Sequence, residues 1–197
     1  MTRNRAILAA TSIAAAALLV AGCEGDTPAT PSAEPTASAS ADASPSPSPS
    51  STAVVVAPER PDAMDDDGPA GAEAAAVYFL ELDPYIMQTG DTAEWETMSL
   101  KSCEYCANRL DQANEIADRD DAFSGGETNV VVLHTYEQDA STGIWPIDVR
   151  VREGASTIKD SNGEVLFTSL DKSGELRMEM AKRDGAWVVV GVADVPE

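Results

Sequence analysis

The chain has 197 residues, 34 of them acidic and 13 basic, for a formal net charge of -21. That length leaves room for one folded domain once processed and unstructured parts are set aside. So acidic a molecule repels polyanions, and no local basic cluster offsets the total, so nucleic acid is excluded as a partner; the acidity otherwise suits solubility in a salty exterior.

Residues 1–22 have the form of an export signal. Arg3 and Arg5 supply a positive start, and Ala6 to Val20 form an uncharged apolar run. At about 15 residues the run is short of the roughly 20 that a permanent membrane-spanning helix needs. Leu19-Val20-Ala21-Gly22-Cys23 then resembles a lipobox, in which small residues admit a peptidase ahead of a cysteine that receives diacylglycerol on its thiol. The expectation is a lipid anchor at Cys23 on the extracytoplasmic face of the cell membrane. Each buried CH₂ contributes about 0.8 kcal/mol, so two acyl chains hold where one is marginal. The alternative is an ordinary secreted chain with Cys23 incidental.

Residues 23–70 read as the lipidated cysteine and a disordered tether. They are rich in Ala, Ser, Pro and Thr, with a run Ser44-Pro45-Ser46-Pro47-Ser48-Pro49 and no periodic apolar face. About 46 residues reach on the order of 140 Å fully extended and roughly 40 Å as a coil, and the hydroxyls could carry sugars. Asp65-Asp66-Asp67-Gly68 suggests a calcium loop, but the register fails: alignment on Gly68 puts Ala63 at the first ligand position and Ala74 at the last.

From Gly71 onward, residues 71–197 carry the pattern of a folded α+β domain. Ala75, Phe79, Leu82 and Ile86 form one helical stripe, kinked at Pro84 and ended by Gly90. Asp91-Thr92-Ala93-Glu94 has the form of a capping box opening a short helix with Trp95 and Met98. Ser102 is placed to cap a third helix whose stripe is Cys103, Cys106, Leu110, Ala113 and Ala117, which turns both cysteines to the core.

After Gly125-Gly126 the period changes to two. Asn129 to Glu137 is a first strand; in the second, Trp145, Ile147, Val149 and Val151 face one way and Asp148, Arg150 and Arg152 the other. Asn162-Gly163 and Asp184-Gly185 mark hairpin turns, and the last strand, Ala186 to Val192, is apolar enough for a sheet interior. Three helices ahead of a meandering antiparallel sheet give an α+β class, with the sheet curled over the helices.

Tyr78-Phe79, Thr89-Gly90-Asp91-Thr92, Cys103-Glu104-Tyr105-Cys106, Ile158 to Val165 and Arg183 to Val189, in this order, resemble actinobacterial lipoproteins that share a domain of unknown function, of the DUF6318 type. The wider resemblance is to the nuclear transport factor 2-like (cystatin-like) superfamily. It implies a cone of helices in the concavity of a bent sheet and an envelope location, but no reaction.

The chemical candidates are few. Cys103 and Cys106 have the spacing of a redox pair, in which a helix N-terminus stabilises a thiolate. The pair precedes the sheet, and Glu104 opposes a thiolate, so a structural disulfide in an oxidising exterior is the favoured reading. Zinc would need ligands that the sequence does not offer. His134, the only histidine, could act as a general base beside a carboxylate, and Tyr78, Tyr85, Trp95, Tyr136 and Trp145 could line a pocket around it; core packing is the alternative for each. No nucleophile turn or phosphate loop accompanies them. The expected role is therefore a noncatalytic binding or accessory module without a cofactor, tethered to the membrane and meeting an envelope protein or small ligand. A small hydrolase or isomerase using His134, or a thiol-disulfide protein using Cys103 and Cys106, are the alternatives.

Overall fold

The computed structural model describes residues 55–195. The export signal, Cys23 and the tether as far as residue 54 lie outside the described residues. Four helices come first: α1 (Pro69–Glu81), α2 (Asp83–Thr89), α3 (Ala93–Met98) and α4 (Glu104–Asp118). Seven strands follow: β1 (Ala122–Gly125), β2 (Thr128–Thr135), β3 (Ile144–Glu153), β4 (Ser156–Lys159), β5 (Val165–Ser169), β6 (Lys172–Arg183) and β7 (Ala186–Asp194). Helices first and antiparallel strands after them make the α+β class.

Packing begins upstream of the Gly71 boundary that composition set. Asp62–Asp65 is a short 3-10 turn whose Met64 is buried, and the Trp187 indole N–H donates to the Met64 carbonyl at 3.0 Å. Asp66 accepts from the Gly68 amide, Asp67 pairs with Lys182, and α1 opens with Pro69 in its first turn, where a missing N–H costs nothing. Gly71 is required here: a Cβ on it would lie 2.0 Å from the Asp66 carbonyl oxygen. The acidic run is thus a set of local ties on the folded body.

One kinked helix was expected where two stand. Pro84 has no amide hydrogen to give the Leu80 carbonyl its helical bond, which the Leu82 amide reaches instead, so the ladder breaks at Leu82. Leu82 keeps helical angles, and the Ile86 amide resumes the pattern by donating to the Leu82 carbonyl at 3.0 Å. Gly90, at φ 69°, closes α2 in the left-handed region. The capping box does not form. Thr92 is the N-cap of α3, and the one backbone amide that the Asp91 carboxylate reaches is that of Ala93, at 3.5 Å. Nor does Ser102 cap α4: Cys103 is the N-cap, its Sγ accepting from the Cys106 amide at 3.2 Å. On α4 the buried stripe runs through Cys106, Ala113 and Ile116, with Ala117 exposed.

The expected meander is interrupted. β2-β3-β6-β7 form a four-stranded antiparallel sheet, while the β4–β5 hairpin leaves it to pair with β1 in a three-stranded one. β1 lies ahead of the Gly125-Gly126 pair and was missed. Phe123 is its one large apolar residue, and its partner β4 is far along the chain, so no local alternation announces it. β7 sits at the edge of its sheet rather than inside. Its apolar residues are covered by α1, α3 and α4, which pack against the strand, and at its free edge Leu100 donates to the Val189 carbonyl at 3.0 Å and Ser99 bridges Val189 in parallel. The core gathers Phe79, Leu80, Ile86 and Trp95 from the helices against Ile147, Val149, Met178, Met180 and Val189 from the sheet, all buried. At its centre Phe79 stacks on Trp95 at 3.9 Å between ring centroids, and the Trp95 indole N–H donates to the Cys106 carbonyl at 3.0 Å.

Candidate functional site

The residues proposed to line one pocket do not meet in one place. Tyr78 and Trp95 are core. Tyr85 lies at the rim of the helices, its hydroxyl donating to Asp91 at 2.8 Å, a bond to a carboxylate that raises the phenol's pKa. His134 and Tyr136 lie on the outer face of the four-stranded sheet, with the two rings edge to face at 4.3 Å. Trp145 is half buried, and its indole N–H has no hydrogen-bond partner. The concavity is filled by the core side chains, so a pocket centred on His134 does not exist there.

A bulge decides the side on which His134 falls. Val132 pairs with the inward-facing Val149, but the next pair is His134 with the outward-facing Asp148, leaving Leu133 as the extra residue. Strict alternation from Val130 and Val132 would have turned His134 inward. Thr135, back on the inner face, donates to Glu73 of α1 at 2.6 Å.

On the outer face, β3 and β6 set Asp148 opposite Arg177. The Arg177 Nε donates to Asp148 Oδ1 at 2.7 Å, and its Nη2 to Oδ2 at 2.9 Å. Tyr136 adds its hydroxyl to Oδ2 at 2.9 Å and its ring under the guanidinium at 4.7 Å. Arg177 holds the Asp148 carboxyl below the ordinary aspartate range against the opposing push of burial. The same bond to Asp148 raises the Tyr136 phenol. Both Asp148 oxygens are occupied, so this carboxylate is not free to orient His134 as a base. The cluster fastens β2, β3 and β6 together.

A second ion pair joins α2 to α4: Arg109 donates to both oxygens of Asp83 and through Nη1 to Gln112 at 2.7 Å. Burial alone would lower the Arg109 pKa, but the Asp83 hydrogen bonds and charge raise it. The sequence reading missed both pairs. Their signal is a charged residue at a register position that becomes visible only when the partner strand or helix is known.

Cys103 and Cys106 are joined as a disulfide, with Cα atoms 5.2 Å apart and each residue 1% exposed. A buried bridge fits the structural reading and opposes the thiol-disulfide one. Beside it, a groove of about 360 Å³ is lined by Glu96, Ser99, Leu100, Lys101, Ala107 and Leu110 as well as Cys106. A more enclosed cleft of about 110 Å³ lies where Asp83, Arg109 and Glu153 meet Phe167 and Lys172. Neither is lined by His134 or by the aromatic residues assigned to a pocket. Among the described residues no three His, Cys, Asp or Glu side chains cluster as metal ligands, and no helix is long and apolar enough to cross a membrane.

No curated protein matches the chain. Among solved structures, the intermembrane space region of chloroplast protein ARC6 aligns at 12% identity and a TM-score of 0.47, over 66% of this chain and 98% of that one. A periplasmic fragment of TraM aligns at 9% identity and 0.39, over 64% and 98%. An uncharacterized protein with a cystatin-like fold from Caulobacter vibrioides aligns at 8% identity and 0.36, over 64% and 91%. One family matches in sequence, over residues 46–193, which takes in most of the chain and all four helices and seven strands but for the last residue of β7. By that match the chain belongs to the family of unknown function DUF6318.

Proposed function

We propose that this protein is a lipid-anchored, extracytoplasmic lipoprotein of actinobacterial type, whose α+β domain is a noncatalytic binding or accessory module of the cell envelope. The observation that carries the reading is the lipobox ending at Cys23, placed directly after an apolar run too short to stay in a bilayer as a helix. The buried Cys103–Cys106 disulfide supports an oxidising compartment. The filled concavity and the occupied oxygens of Asp148 favour binding through surfaces over catalysis at His134. The partner is an envelope protein or a small ligand.

Fractionation of cells expressing the full chain tests this. The parent chain is expected in the membrane fraction, extractable by detergent, and Cys23→Ala in the medium or in the soluble fraction. Equal membrane retention of both would overturn the anchor. An activity lost on His134→Ala with the fold intact would overturn the noncatalytic reading.

A further inference from the structure

Asn162-Gly163 is the one place in the chain where glycine follows asparagine. That order carries a chemical liability, because a glycine has no side chain to shield its amide nitrogen, and this nitrogen can attack the carbonyl carbon of the asparagine side chain. Both residues are exposed in the β4–β5 turn, Gly163 has φ 85°, and nothing lies within 4 Å of the place a Cβ would take. Steric cover is therefore absent, and hydrogen bonds take its place. The Gly163 amide donates to the Asp160 carbonyl at 2.9 Å. Asp160 Oδ1 accepts from the amides of Asn162 and Glu164 at 2.9 and 2.8 Å, and Oδ2 accepts from the Asn162 side-chain amide at 3.2 Å. The attacking nitrogen and the group it would attack are thus both tied to one residue. The Asn162 side-chain bond also holds the Asp160 carboxyl below the ordinary aspartate range, so its negative charge stands beside the Gly163 proton and opposes its loss.

We propose that Asn162 is a self-modifying site guarded by Asp160, whose bonds hold back deamidation in the folded hairpin and release it when the turn opens. In the reaction the Gly163 nitrogen bonds to Asn162 Cγ and the Cγ–Nδ2 bond breaks. Ammonia leaves with the proton that the glycine nitrogen gave up. Water then opens the resulting succinimide at one carbonyl or the other, to aspartate or to isoaspartate. Isoaspartate puts an extra methylene into the main chain, inside a turn that the Asp160 amide closes on the Glu164 carbonyl at 2.9 Å, so the modified turn loses its register. β5 pairs with β4 alone, which confines the change to the small sheet. Opening of one hairpin is a local event that needs no global unfolding. The inference stands whether or not Cys23 is lipidated.

The full chain, Asp160→Ala and Asp171→Ala, each held in mildly alkaline buffer and scored at Asn162 over time by peptide mass and by an isoaspartate-specific methyltransferase, test it. Asp171→Ala removes the carboxylate that accepts from the Ala155 amide at 2.6 Å at the base of the hairpin and leaves the turn untouched. Asp160→Ala is expected to modify Asn162 severalfold faster than the parent, and Asp171→Ala at the parent's rate, with unchanged circular dichroism spectra showing that both fold. In urea, where no turn remains, all three should react alike and faster than the folded parent. Asp160→Asn, which takes away the acceptor of the Asn162 side chain, replaces the alanine variant if that fails to fold and should also outpace the parent. Equal folded rates for the parent and the Asp160 variant, or a parent that reacts as fast folded as in urea, would overturn the proposal. So would Asp171→Ala matching the Asp160 variant, since protection would then belong to the hairpin and not to Asp160.

Discussion

At Asp83 and Arg109 a single carboxylate compensates a guanidinium that the fold has largely removed from water. Removing one partner of such a pair leaves an uncompensated buried charge, and Asp83→Ala is expected to cost about 3 kcal/mol in urea unfolding. A loss under about 0.5 kcal/mol would show that solvent reaches the guanidinium freely. Asp139 is a different case. Its Oδ1 accepts from the amides and hydroxyls of both Ser141 and Thr142, and these bonds hold its pKa at about 2. A depressed carboxylate contributes stability that is whole above the unfolded pKa near 3.9 and is lost as pH falls through about 2. Asp139→Asn should therefore lower the melting temperature near neutrality, where the ionised carboxylate contributes, and converge with the parent as pH falls through about 2, which flattens the acid limb. An acid limb identical to the parent's would contradict this role. Burial of Trp95 and the cysteines was legible from helical spacing, because an apolar stripe states which face turns inward. The side taken by His134 was not, since a one-residue bulge in β2 reverses the parity that alternation would give.

The elements show where local pattern suffices and where it stops. β3 could be read from Trp145 to Val151 because its inward and outward residues alternate, and Asp184-Gly185 does turn β6 into β7. β1 could not, because its pairing with β4 is nonlocal. Capping at α4 was misassigned for a chemical reason: the Cys103 sulfur occupies the place expected of the Ser102 hydroxyl. The bridge pins the first turn of α4, and its short loop limits its entropic contribution to about 2 kcal/mol in the chain-entropy model. Both sulfurs lie in the core, so dithiothreitol is expected to leave the bridge intact in the folded protein and to reduce it once urea unfolds the chain, as read by alkylation and mass. Rapid reduction of the folded form would restore the thiol-disulfide reading.

At the scale of the molecule, a lipid anchor and a long tether would leave the domain free to stand off the membrane, and its surfaces, rather than its filled interior, would meet a partner. The α+β class was legible because helical periods precede strand periods along the chain. The division into two sheets was not, because the β4–β5 hairpin is inserted between β3 and β6, which pair directly across it. The central claim rests on the chemistry of Cys23, and the most direct measurement is the mass of the N-terminal peptide of the chain purified from membranes of its own cells. The account predicts a mature chain that begins at Cys23 and carries the mass of a diacylglycerol on sulfur. A chain that begins elsewhere, or at Cys23 with an unmodified thiol, would contradict it.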